Sequence, residues 1–386
     1  MRAVLTVLCC VSVCLCSIWS ANITSPEGMD VSFFGHALSV SDTWAAVTAE
    51  GEDTGAVLMY HRDANDWVYH SSLPVPDVDD IAFGLTVAID GDWTAVTSTF
   101  TTDYTQVIVH LFHFNSNGVW VLSDTIPSPG PQVLYGQSPA MGGGLLVTGY
   151  PDADDGSGMA SVYRLVDGSY TWEQDIRGGP YSNDSIGNGN AVAVSADGTK
   201  IAMGSYIAGQ VYIFEREADT PGGEWVLSST LPVDCYEETT LSFSDDGSVV
   251  VVGCQDYTSE TPYSHYAGQV QVMDRDMETG EYSVVSTLNG DNTAFATFGA
   301  AVALTDDGDT LAVGAPMDNM MYIYTRRKGA TAYALADTEY GLVTDPYSCN
   351  DELGTALGVA GATLLAGMPG AEGYTGRVGV FDLGSL

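Results

Sequence analysis

The chain has 386 residues, 45 % of them hydrophobic, with 44 Gly and with 11 Lys and Arg against 50 Asp and Glu, a net charge of −39. That balance excludes nucleic acid and anionic membrane as partners, because both need basic residues to displace counterions. It leaves cations, basic proteins and neutral glycans, or plain solubility.

Residues Met1–Cys16 carry Arg2, an apolar stretch through Leu15 and small residues near the end. This predicts a signal peptide over 1–17, too short for a spanning helix. No later apolar run approaches membrane-spanning length, and the tail lacks a GPI signal. The mature chain, 18–386, is expected to be a single domain.

Within it a pattern recurs at intervals of about fifty residues. The sixth copy is the clearest: Phe298-Gly299, alternating Val302 and Leu304, an Asp307-Gly308 turn, Leu311-Ala312-Val313-Gly314-Ala315-Pro316, then Met321-Tyr322-Ile323-Tyr324 and a more polar segment near Tyr333. The Phe-Gly slot is held in order by Phe34-Gly35, Phe83-Gly84, Tyr135-Gly136, Asn188-Gly189, Glu237-Glu238, Phe298-Gly299 and Leu353-Gly354. Asp-Gly between alternating hydrophobics is a hairpin signal, since Gly takes the φ > 0 position of the turn. The second strand of each copy is almost wholly apolar, as in Val249-Val250-Val251-Val252. Such a strand is covered on both faces. No segment has helical periodicity, so the expected fold is all-β, a seven-bladed β-propeller of four-stranded antiparallel blades. The last copy ends at its third strand. Trp19 and Pro26 repeat the Trp120-to-Pro127 spacing, so the N-terminal strand is expected to close the ring.

These words resemble the FG-GAP repeats of integrin α-subunit heads. The resemblance implies a seven-bladed propeller in an extracellular setting; the leader without a later spanning run leads to the expectation that the protein is released or held at the cell surface by a partner. Integrin-type blades also carry calcium in a long D-x-[DN]-x-[DN]-G loop that wraps oxygen ligands around the ion. The corresponding turns here are too short to encircle a cation.

Of the three Cys beyond the leader, Cys235 and Cys254 flank the first two strands of the fifth copy and are predicted to form a disulfide. Cys349 is left over. Asn22 and Asn183 begin N-x-[ST] sequons, candidate glycosylation sites.

The second-to-third-strand loops and the blade-to-blade loops should gather on one face around the channel. They bring together Asp79, Asp80, Asp152, Asp154, Asp155 and Asp351 with Tyr150, Tyr257 and Tyr374. Carboxylates beside Tyr suit an extracellular protein or glycan ligand, with calcium, held weakly between carboxylates, the one candidate cofactor. The six His fall in different slots, and no H-E-x-x-H, G-x-S-x-G or clustered Cys/His spacing occurs. The expectation is therefore a secreted, non-catalytic adhesion or ligand-binding module. A cation-bridged surface-coat protein is the first alternative and a glycan-processing enzyme the second.

Overall fold

The computed structural model describes residues 18–386 except 52–53, 65, 77–81, 100–106, 128–138, 152, 154–156, 179–190, 206–207, 217–222, 234, 236–238, 256, 258–266, 291–294 and 342–350. Seven antiparallel sheets form the blades of a β-propeller. Blade one comprises Leu38–Val40, Trp44–Gly51, Ala56–Asp63 and Asp66–Ser72, and blade six Val302–Leu304, Thr310–Ala315, Met320–Thr325 and Ala334–Tyr340. The inner strands of the others are Val87–Asp90, Ala140–Gly142, Val192–Val194, Thr239–Phe243 and Leu357–Ala360. Each inner strand packs beside the next around the ring, and the seventh returns to the first. Blade one gains a short extra pairing, Val31–Ser32 against Gly51 and Glu50.

The ring closes non-covalently. Trp19–Ile23 is the outer strand of blade seven and pairs with Arg377–Asp382. Trp19 lies 5.1 Å from the Phe381 ring, and the backbone N–H of Asp382 donates to the Ile18 carbonyl. Pairing at this seam covers what would otherwise be an open strand edge. Among the described residues helix is confined to short turns such as Pro316–Asp318 and Ala371–Tyr374. None is long and apolar enough to cross a membrane among the described residues.

The two recurring words are the places where blades touch. The Gly that ends the second strand of one blade faces the Phe-Gly Gly of the next. A Cβ on Gly314 would stand 2.0 Å from the Gly354 carbonyl oxygen, and one on Gly367 would stand 2.0 Å from that of Gly35. Only a residue without a side chain permits this backbone approach. The aromatic of the first word fills the gap between blades. Phe34 and Phe298 are wholly buried, and Phe298 packs with Val251, Val272, Val313 and Tyr322. Burying one such side chain stabilises the fold by roughly 1.5–3 kcal/mol.

At the opposite ends of the strands, arginines bind four of the blades to the one before. Arg216 reaches Glu173 at 2.7 Å, Arg275 reaches Glu215 at 3.0 Å and Arg326 reaches Asp274 at 2.7 Å. Arg62 donates to Thr363 Oγ1 of blade seven at 2.8 Å. Three of these guanidiniums also lie over an aromatic that opens the fourth strand or just precedes it: Arg62 on Trp67, Arg216 on Trp225 and Arg326 on Tyr333. In blade five Cys235 and Cys254 form a disulfide across a separation of 19 residues.

Candidate active site at the upper channel mouth

The channel is walled by alternate residues of the inner strands, which point inward with a period of two. Leu38, Val87, Val192, Leu241, Val302 and Leu357 form an upper apolar ring. Val40, Ile89, Met141, Val194, Phe243 and Val359 form a lower one. The two mouths differ in chemistry.

The lower mouth opens between the inner hairpins into a cavity of about 410 Å³ that includes Asp42, Asp90, Asp245 and Asp306. These turns are tied to one another by backbone: the Asp245 N–H donates to the Asp306 carbonyl, and the Asp197 N–H to the Asp245 carbonyl. Burial, then the neighbouring charges of Asp306, Asp42, Asp246 and Asp197, hold the Asp245 carboxyl above the usual carboxylate range. Asp197, Asp246 and Asp307 behave in the opposite way. Each accepts hydrogen bonds from its own turn, as Asp197 does from Ser195 Oγ and from the Thr199 N–H and hydroxyl. For Asp197 and Asp246 those bonds outweigh burial and lower the carboxyl, whereas for Asp307 the hydrogen bond from Asp309 N–H is itself the largest influence. No group of three or more His, Cys, Asp or Glu among the described residues is arranged to hold a metal ion.

The upper mouth carries hydroxyls and one imidazole. A cavity of about 240 Å³ is edged by His36, Thr86, Thr240 and Thr355. A second, of about 230 Å³, opens between blades one and two and is edged by His36, Thr48, Glu50 and Thr54. His36 borders both, so the two form one bent cleft around its side chain. Two of the hydroxyls donate elsewhere, Thr240 to the Gly299 carbonyl and Thr355 to the Glu352 carbonyl. Each therefore presents its oxygen as an acceptor.

Glu352 joins this mouth from blade seven. Burial pushes its carboxyl above the usual carboxylate range, and the nearby His36 partly offsets the rise. Its φ is +61°, but the residue before the Phe-Gly slot is left-handed in other blades too: Phe33 at +51°, Ala82 at +53° and Thr297 at +54°. The strain therefore belongs to the docking turn and is not a mark of catalysis. Beside Glu352, the Asp351 carboxylate is 2 % exposed and receives Arg377 Nη2 at 2.8 Å.

Of the residues expected to form a ligand face, four lie among the described residues. Asp79, Asp80, Asp152, Asp154 and Asp155 lie outside the described residues, as do Asn183 and Cys349. Asp351 is buried in its ion pair, so its charge is satisfied within the fold. Tyr150 is 3 % exposed and belongs to the core between blades two and three. Tyr257 packs against the cluster that holds the disulfide. Tyr374 is the exposed member, set beside Phe33 with ring centroids 5.2 Å apart. Asn22 is exposed on the closing strand, where its Oδ1 accepts from the Trp19 indole.

His36 and Glu352 were passed over in the sequence because neither belongs to a catalytic motif. A signal was present all the same. The residue after Phe-Gly is Leu85, Ala300 or Thr355 in matching copies and His only at 36. The residue before it is Phe33, Ala82 or Thr297 and an acid only at 352. Two ionisable departures from the repeat, in blades that ring closure makes neighbours, mark the spot.

No protein-family model matches the chain, and no curated protein matches its sequence. Solved structures do match its fold. A candidate 6-phosphogluconolactonase of Bacteroides uniformis superposes with a TM-score of 0.58 at 19 % identity, covering 84 % of this chain and 89 % of that one. A candidate 6-phosphogluconolactonase of Bacteroides fragilis gives 0.55 at 14 % identity, covering 79 % and 84 %. The periplasmic gluconolactonase of Pseudomonas aeruginosa gives 0.53 at 14 % identity, covering 79 % and 85 %. At these identities the likeness is one of fold.

These neighbours correct the functional expectation. The non-catalytic adhesion reading rested on the expected face of acids and tyrosines and on the lack of a catalytic motif, and its FG-GAP and integrin-like labels rested on the repeat words, which no family model matches. Propellers of this build include proteins named as lactone-hydrolysing enzymes. The fold therefore supplies no argument against catalysis.

Proposed function

We propose that this propeller is a hydrolase of lactones, the cyclic esters of sugar acids, acting at the upper channel mouth. The observation that carries the reading is the position of His36, an exposed imidazole bordering both upper cavities within charge range of the Glu352 carboxyl. The gluconolactonase names of the fold neighbours support the reaction class by analogy. His36 takes a proton from water as the water oxygen bonds to the lactone carbonyl carbon. The bond from that carbon to the ring oxygen then breaks. Glu352, whose raised carboxyl favours the protonated form, returns a proton to the departing oxygen. Lactone and water thus become one open-chain hydroxy acid. An imidazole and a carboxyl raised by burial, set at one cleft, are the two kinds of group that acid–base hydrolysis needs.

The setting that fits is extracellular or periplasmic. A buried disulfide favours an oxidising compartment, and the leader-like start of the chain agrees with it. The FG-GAP-like words serve here as blade-docking elements and do not specify a ligand.

Hydrolysis of glucono-1,5-lactone in weak buffer tests the reading, because the product acid releases a proton. Proton release well above the spontaneous rate, proportional to protein concentration, is expected. A rate equal to that of buffer would overturn it.

A further inference from the structure

We infer that the lactone taken at this mouth is an uncharged polyol lactone, and that a phosphorylated one is rejected. The inference rests on the lactonase reading and adds the substrate class.

Of the 11 Lys and Arg in the chain, all except Arg2 lie among the described residues. The segments outside them after residue 17 contain none, so every cation of the mature chain can be placed. Most lie at the lower side. Arg62, Arg216, Arg275 and Arg326 are engaged between blades, and Arg164 shares Glu173 with Arg216. Lys200 donates to the Asp246 carbonyl in the lower turns. Arg327 and Lys328 follow the third strand of blade six at its lower end. Toward the upper side stand Arg377, 4 % exposed and paired with Asp351, and Arg177, at the outer end of blade three, where it reaches Met159 Sδ. No Lys or Arg borders either upper cavity.

A carboxylate borders the cleft instead. Glu50 is exposed at the wall of the inter-blade arm. A phosphate dianion placed here meets like charge with no guanidinium or ammonium to receive it, whereas phosphate sites are built from such donors. A neutral polyol meets the reverse. Its hydroxyls donate to the Glu50 carboxylate and to the oxygens of Thr240 and Thr355, and its carbons lie on the upper apolar ring. The chemistry of the cleft therefore selects against charge and for hydroxyl donors.

The test compares kcat/KM for glucono-1,5-lactone and for its 6-phosphate, with wild type, Glu50→Gln and Glu50→Lys. Wild type is expected to prefer the uncharged lactone by at least roughly tenfold, the size of one screened like-charge contact with the phosphate dianion. That preference should shrink as salt rises, weaken in Glu50→Gln and weaken further or invert in Glu50→Lys. Efficient hydrolysis of both lactones with the 6-phosphate preferred would overturn the inference and leave the lactonase reading standing. Hydrolysis of neither would overturn the lactonase reading and the inference with it.

Discussion

Arg326 Nη1 sits 2.8 Å from Oδ1 and 2.7 Å from Oδ2 of Asp274, across the boundary between blades six and five. The same guanidinium lies 4.9 Å from the Tyr333 ring centroid and reaches Asp309 through Nε. It thus binds two blades and a fourth-strand anchor at once.

Replacing Arg326 by Ala should remove all three contacts and leave Asp274 without its partner. Because the guanidinium is nearly buried while the carboxylates are partly open to solvent, the cost is expected to be about 2–3 kcal/mol. Arg327→Ala, at an exposed neighbouring position, should change stability by less than about 0.5 kcal/mol. Urea unfolding of the two variants measures the difference, and equal midpoints would mean that the inter-blade contact contributes little.

Reducing the Cys235–Cys254 bridge, or replacing both by Ala, should lower stability by about 3 kcal/mol, the loop-closure value for a ring of this size. The loss should centre on blade five, whose Phe-Gly slot holds Glu237-Glu238. Hydrogen exchange read strand by strand locates it. Uniform loss of protection around the ring would argue against a local role.

The lower mouth gives a pH signature. The Asp245 carboxyl is raised in the fold, so its charge costs stability, and that cost appears as pH rises through its folded pKa. Asp197, Asp246 and Asp307 are lowered, so each contributes stability above its unfolded pKa and loses it as pH falls through the folded one. Asp245→Asn should therefore stabilise the protein at neutral pH, by only a fraction of a kcal/mol because the group is open to solvent and screening. The gain should fade in high salt and vanish near pH 3. Melting temperatures across a pH and salt grid report it. A gain unchanged by salt would refute the electrostatic origin.

The fold was legible because its constraints are local in sequence. Gly314 and Gly354 must each be glycine for blades to approach, and Phe298 must be large to fill the gap beside them. Such demands repeat with every blade and leave a readable period. The same holds for Trp19, whose spacing from Pro26 announced the closing strand. The site was not legible for the converse reason. His36 and Glu352 come from opposite ends of the chain and meet only because the ring closes between blades seven and one. The burial of Asp351 and Tyr150 was not legible either, because an acid and a tyrosine in loop-like sequence look exposed, while in the fold one is neutralised by Arg377 and the other fills a core. Composition located the excess of acid but not which carboxylates have partners.

The most direct test of the account is the turnover of glucono-1,5-lactone by wild type and by His36→Ala, with the spontaneous rate subtracted and folding checked by thermal unfolding. The account predicts clear turnover by wild type and a fall in kcat of about 10²- to 10⁴-fold in the variant, the usual worth of a positioned general base. A His36→Ala protein that hydrolyses the lactone as fast as wild type would contradict it.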